Sequence, residues 1–243
     1  MAGVDAKTST PFRAPPLTEF EVCCFLSHRC CWRIIAEGAD RYGVVFEDDI
    51  VFSNDAGELL AKDDWIPSDA DIVKLETFYN SVRVGRRHFP VNHAYAAKRL
   101  LGQHLGSGGY VISKRAAERM LKSTAHIKAA VDVALFSPNQ MTSARSTIYQ
   151  LMPALCTQAQ FVAIDAPSSL VQLAPRGHSN KRVIDRVQAE AKRAFWYFRN
   201  RAFLATEKVD AVLFRGQEIA GARITEGSGP SASARVVASG SSL

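Results

Sequence analysis

The chain has no apolar run near the roughly 18 residues that a membrane-spanning helix requires, so no transmembrane helix is expected. Its first residues lack the basic, apolar and small-residue succession of a secretory leader. Cysteine is scarce, with five residues: Cys23, Cys24, Cys30, Cys31 and Cys156. If residues 23–31 are helical, the two adjacent pairs lie two turns apart, ~10 Å at 1.5 Å per residue. That separation excludes a disulfide within the helix. One straight helix also cannot close a tetrahedral zinc site around a CCx₅CC pattern. Buried free thiols in a reducing cytoplasm are the expectation. No internal repeat is visible.

A general excess of charge is missing too, although the net charge is +6. Residues 1–175 carry 18 basic and 18 acidic side chains, and residues 202–243 carry 4 of each. The imbalance sits in residues 176–201, with 8 basic and 2 acidic side chains. One basic segment points to a local anionic partner, not to a basic surface throughout. Hydrophobic residues make up 47% of the 243 positions, enough for one domain with a sizeable core and appendages.

Thr18-Glu19-Phe20-Glu21 is a capping-box pattern, and it predicts a helix through about Glu37 with Gly38 just beyond its end. Val22, Phe25, Leu26, Trp32 and Ile35 would be its apolar positions. Strands are expected at Gly43–Phe46, Asp71–Leu75 and Gly108–Ser113, with Ser113 capping a helix over Lys114–Lys122. Residues 80–107 read as a loop or hairpin, and Gln158–Ile164 as a late strand. Such alternation indicates an α/β domain with a largely parallel or mixed sheet. We expect this domain over 1–175, a basic amphipathic helix within 176–205, and a largely disordered tail over 206–243, because its Ser, Gly and Ala content cannot build a core.

The segment Val44-Val45-Phe46-Glu47-Asp48-Asp49-Ile50-Val51-Phe52 places three carboxylates between two apolar runs. On an extended chain Glu47 and Asp49 point one way and Asp48 the other. Two carboxylates converging at a strand end suit a hard divalent cation. A solvated acidic turn is the structural alternative. His28, on the preceding helix, reads more as a hydrogen-bonded core residue than as a ligand, because a lone helix histidine is more often the former.

The succession CCFLSHRCCWRII, GVVFEDDIVFS, DIVKLET, GSGGYVISKRAAERML, AVDVALFS and IYQLMPALCTQAQF resembles glycosyltransferase family 25, over about residues 4–162. That resemblance implies a GT-A-like, Rossmann-related mixed sheet flanked by helices. It also implies an inverting transfer of a hexose, galactose being expected, from a UDP-sugar to a saccharide hydroxyl in lipopolysaccharide or lipooligosaccharide biosynthesis. Glu47, Asp48 and Asp49 match the family's acidic motif, which implies Mn²⁺ or Mg²⁺ held by Glu47 and Asp49, with Asp48 beside the donor. Ser27 and His28 match its Leu-Ser-His segment at the donor site. Gly108, Gly109 and Tyr110 match its glycine-rich strand entry, where small residues admit substrate or make a tight turn. Asp132 matches its Val-Asp acid, either the base on the acceptor hydroxyl or a helix N-cap.

The chain departs from the family at its start. Val4-Asp5-Ala6-Lys7 matches a stretch that family members place after an apolar strand and an Asn-Leu-x-Arg-like segment. The first strand and helix of the nucleotide-binding half are therefore expected to be missing, exposing a sheet edge. Two readings compete with the enzyme. One is an inactive remnant that serves as a binding protein. The other is a nucleic-acid binder using Phe195, Trp196, Tyr197 and Phe198 beside basic residues, which the neutral globular part argues against. The apolar face of residues 181–202, ringed by Lys and Arg, suits an anionic membrane surface and a lipid-linked or oligosaccharide acceptor, placing the protein in the cytoplasm on the inner membrane.

Overall fold

The computed structural model describes residues 16–162, Phe198, Thr206–Val209 and Val212, together with the backbone of Gly3–Val4 and Arg235–Ser239. In chain order the elements are β1 (Gly3–Val4), α1 (Glu19–Glu37), β2 (Tyr42–Glu47), β3 (Ile50–Phe52), α2 (Ala56–Leu60), β4 (Ile72–Lys74), β5 (Glu76–Thr77), β6 (Val82–Pro90) and β7 (Ala96–Leu100). There follow β8 (Gly109–Ser113), α3 (Lys114–Ser123), β9 (His126–Ile127), α4 (Val131–Phe136), α5 (Met141–Ala144), β10 (Ile148–Met152), β11 (Cys156–Gln158), β12 (Thr206–Val209) and β13 (Arg235–Ser239).

The main sheet runs β12-β6-β7-β10-β4-β8-β2-β13. It is mixed, as expected, but antiparallel pairs predominate: only β10–β4 and β2–β13 are parallel. Residues 80–107 supply the β6–β7 hairpin, which explains the shift towards antiparallel pairing. A smaller sheet, β3-β11-β5, lies beyond the break that follows Glu47. The expected late strand stops early. Its β11 ends at Gln158, and a 3₁₀ turn takes Ala159–Phe161.

The capping box at Thr18 forms as the sequence predicts, with Thr18 N donating to Glu21 Oε2 at 2.8 Å and Glu21 N to Thr18 Oγ1 at 3.2 Å. Helix α1 buries Phe25, Trp32 and Ile35 against α3, α4 and one face of the sheet, while Leu26 stays exposed. Strand alternation divides the core in two. Val45, Tyr110 and Ile112 join α1, and Val44, Phe46 and Val111 join Trp65 and Leu155 on the other face. Each fully buried large side chain contributes about 1.5–3 kcal/mol.

All five cysteines are free, but Cys23 and Cys30 are exposed, so the expectation of buried thiols holds for Cys31 and Cys156 alone, Cys24 being half-buried. Two stretches of the expected disordered tail are strands: β12 pairs antiparallel with β6, and β13 lies parallel to β2. The alternating Val236 and Val237 region was hidden by the Ser and Gly around it. The edge of β2 is thereby covered rather than exposed. The basic segment 181–202, apart from Phe198, lies outside the described residues. Among the described residues, no helix is long and apolar enough to cross a membrane.

Candidate active site

The β2–β8 register pairs Val45 with Tyr110 and Phe46 with Gly109, so the carboxyl end of β2 meets the entry of β8. Helix α1 crosses this corner and delivers His28 to it. The His28 ring is fully buried, with Nδ1 2.8 Å from the Tyr110 hydroxyl and Nε2 3.2 Å from Glu47 Oε1. Trp32 Nε1 donates to the same hydroxyl at 2.8 Å. An indole only donates and a carboxylate only accepts. In a neutral His28, Nε2 therefore carries the hydrogen towards Glu47, and Nδ1 accepts from Tyr110 O–H. Burial holds the Tyr110 phenol well above its ordinary range, so that hydrogen is present. Tyr110 is 0% exposed, its hydroxyl held between His28 and Trp32.

Glu47 also accepts from Ser107 Oγ at 2.6 Å. Burial pushes its carboxyl up, but the His28 and Ser107 hydrogen bonds and the charges of His28 and Lys74 outweigh this, leaving it below the usual range. Beyond Glu47 the chain turns. Asp48 and Asp49 form the turn into β3, which pairs with β11, so the simple alternation expected for an extended segment does not apply. Asp48 is exposed. Asp49 is half-buried, its backbone oxygen bonded by Ala159 N at 2.8 Å. Its Oδ1 is buried with no hydrogen-bond partner among the described residues. Burial, then the charges of Glu47 and Asp48, push its carboxyl up to about 6. An unpaired carboxylate oxygen among like charges fits a bound hard cation.

Asp132 lies in the first turn of α4, where Ala130 is the N-cap, so the N-cap reading fails. Its Oδ1 accepts from Val133 N at 2.7 Å and its Oδ2 from Gly106 N at 3.3 Å. The loop 104–108 ties the corner together. Lys74 Nζ donates to Gly106 O at 2.6 Å and to Glu76 Oε2 at 3.0 Å, and Gly108 N donates to that same oxygen at 3.0 Å. Lys74 and Glu76 are both fully buried. Burial pushes the Glu76 carboxyl up against the pull of Lys74. Neither Gly108 nor Gly109 has room for a Cβ. A Cβ on Gly108 would meet Glu76 Oε1 at 2.5 Å, and one on Gly109 would meet Cys156 Sγ at 2.3 Å.

Hydrogen bonds through the 104–108 loop thus tie His28, Glu47 and Asp132 to one corner, with Asp48 and Asp49 in the turn just after Glu47. Burial first, then the charges of these four acids, push the half-buried Cys24 thiol up to about 12. Ser27, half-buried beside His28, takes no part in the corner's hydrogen bonds given above. Sequence reasoning missed Lys74, Glu76, Ser107 and Cys24. Two of them had a signal. Lys74 and Glu76 share one face of an otherwise apolar strand, which demands that each charge find a partner inside.

The model of glycosyltransferase family 25 (LPS biosynthesis protein) matches residues 4–135. A lacto-N-neotetraose biosynthesis glycosyltransferase, LgtE, of Neisseria meningitidis serogroup B is 36% identical over 152 residues, 58% of this chain and 54% of that protein. LgtE of Neisseria gonorrhoeae is 32% identical over 201 residues, 76% of this chain and 70% of that protein. The lipooligosaccharide biosynthesis protein lic2B of Haemophilus influenzae is 30% identical over 155 residues, 58% of this chain and 55% of that protein. The chain spans about half the length of most of the curated relatives it matches. The matched region contains α1, the acidic turn, the 104–108 loop and Asp132, and on that evidence the chain belongs to glycosyltransferase family 25.

Proposed function

We propose that the chain is an inverting, metal-dependent hexosyltransferase, moving a hexose from a UDP-sugar to a saccharide hydroxyl in lipopolysaccharide or lipooligosaccharide synthesis, with galactose the expected sugar. The observation that carries this reading is that the 106–107 loop bonds both Glu47 of β2 and Asp132 of α4, with Asp49 in the turn just after Glu47, at one corner of a family-25 fold. The relatives' roles in lacto-N-neotetraose and lipooligosaccharide biosynthesis support the class of product.

Glu47 and Asp49 would hold Mn²⁺ or Mg²⁺, and such an ion supplies positive charge against a departing diphosphate. His28 and Ser107 fix Glu47 through Oε1. Asp48, exposed, faces the donor side. Asp132 accepts the proton of the acceptor hydroxyl as that oxygen bonds to the anomeric carbon, and UDP leaves with the electron pair of the broken bond. The Gly106 N–H restrains Asp132 for this role. The acceptor is a lipid-linked or free oligosaccharide, and the protein works at the inner membrane surface.

The experiment is a donor screen. Purified protein is incubated with UDP-galactose or UDP-glucose, Mn²⁺ or Mg²⁺, and a truncated lipooligosaccharide acceptor. Acceptor-dependent release of UDP with one donor, and a product linkage inverted by NMR, is expected. A folded protein that binds no UDP-sugar and releases no UDP with any donor overturns the reading.

A further inference from the structure

We propose that Cys24, His28 and Glu47 form a site for a thiophilic divalent cation, with Zn²⁺ as its natural size and charge. This goes beyond the hard-ion reading of Glu47 and Asp49 and does not depend on glycosyl transfer. The Cys24 Sγ, a His28 ring nitrogen and a Glu47 carboxylate oxygen all lie within 4.8 Å of one another. His28 Nε2 and Glu47 Oε1 are 3.2 Å apart, close to the about 3.3 Å edge of a tetrahedron with bonds of about 2.0–2.1 Å.

Cys24 and His28 are four residues apart on α1 and so share a face one turn apart. A lone helix cannot close a tetrahedral site. Here Glu47 supplies a third ligand from β2, which leaves the fourth tetrahedral position to water and which the cysteine spacing by itself does not reveal. The ligands are also braced from behind. The Tyr110 hydroxyl sits on His28 Nδ1, and Ser107 Oγ on Glu47 Oε1, as outer partners of metal ligands do. A thiol and an imidazole together select a borderline ion such as Zn²⁺ over Mg²⁺. Asp48, Asp49 and Asp132 add negative potential at Cys24, which favours a cation there.

Binding moves two protons. The Cys24 thiol gives its proton to solvent as sulfur bonds the ion. His28 exchanges its Nε2 hydrogen, through solvent, for one on Nδ1 and stays neutral, so the Nδ1–Tyr110 bond reverses: the phenol oxygen accepts from Nδ1 and its own hydrogen turns away from the ring.

Co²⁺ titration of the metal-free protein tests the site, because a thiolate on cobalt gives a near-ultraviolet charge-transfer band. A band that saturates at one thiolate-bound ion per chain is expected, displaced by Zn²⁺. Cys24→Ser should remove the band and weaken Co²⁺ binding at least about tenfold. Cys30→Ser, on the exposed side of α1, should leave both unchanged. Absence of the band in the wild type, or its persistence in folded Cys24→Ser, overturns the proposal. No sugar nucleotide enters the experiment, so its failure and the failure of the transferase reading are told apart.

Discussion

Replacing Tyr110 by Phe deletes one oxygen from the buried chain Trp32–Tyr110–His28–Glu47. The ring itself keeps its place, stacked on His28 with centroids 5.7 Å apart and edge-on to Phe136 at 6.0 Å. Trp32 Nε1 and His28 Nδ1, each 2.8 Å from the lost oxygen, are left without it in a region where all three side chains are 0% exposed. Each buried polar group so stranded costs about 1–3 kcal/mol, giving about 2–6 kcal/mol for the pair. Against a typical total stability of about 5–15 kcal/mol, that is a large fraction. Urea unfolding, followed by tryptophan fluorescence, should show the loss as a lower midpoint with unchanged slope. Nitrogen-15 NMR of the His28 ring reads the same event locally. In the wild type the hydrogen is on Nε2, and in Tyr110→Phe the two tautomers should mix. A loss below about 0.5 kcal/mol, a value within the range of ordinary surface substitutions, together with an unchanged tautomer, would refute the relay.

Other consequences are open to direct measurement. Asp71 is buried, ion-paired with Arg119 at 2.7 Å, and accepts from Arg115 at 3.1 Å and Thr147 N at 2.8 Å; burial raises its carboxyl, but these partners outweigh it and hold the group below its ordinary range. Its stabilisation is therefore present above the ordinary carboxylate range and is lost as pH falls through the lower folded value. Asp71→Asn should flatten that acid limb of a pH–stability profile and cost about 1–3 kcal/mol at neutral pH. Asp132→Asn should slow transfer by about 10²–10⁴-fold with UDP-sugar binding retained, and equal loss of binding would assign it to the donor side. Asp49→Ala should abolish metal-dependent turnover while leaving the chain folded, since it removes one of several crowded charges. Gly109→Ala forces a Cβ to within 2.3 Å of Cys156 Sγ and should cost about 1–3 kcal/mol by calorimetry or urea titration.

What the sequence discloses depends on the range of the interaction. Helix α1 is legible because its start is written locally, in Thr18 and Glu21. Strands β2, β4 and β8 are legible as apolar runs. Their antiparallel order is not, because pairing Val45 with Tyr110 is a choice among distant partners. The acidic cluster was visible, but its turn at Asp48–Asp49 was not, since β3 is drawn away by β11. The buried Lys74–Glu76 pair lay in plain view and was passed over because the strand around it reads as apolar. The resemblance sets Tyr110 and His28 at the donor site, and it carries no sign of their full burial or of the hydrogen bonds that link them to Glu47.

Strand β13 has a consequence for how the molecule is made. It pairs Val236 with Val44 and Ser239 with Glu47, so β2 takes as its neighbour a strand that is synthesised about 190 residues later. At about 5–20 residues per second, β2 waits on the order of 10–40 s for that neighbour to be synthesised. Throughout that interval its outer edge is open to any other nascent strand. Yield during expression should therefore hinge on synthesis speed and on whatever is fused after Leu243, quite apart from the equilibrium stability of the finished protein.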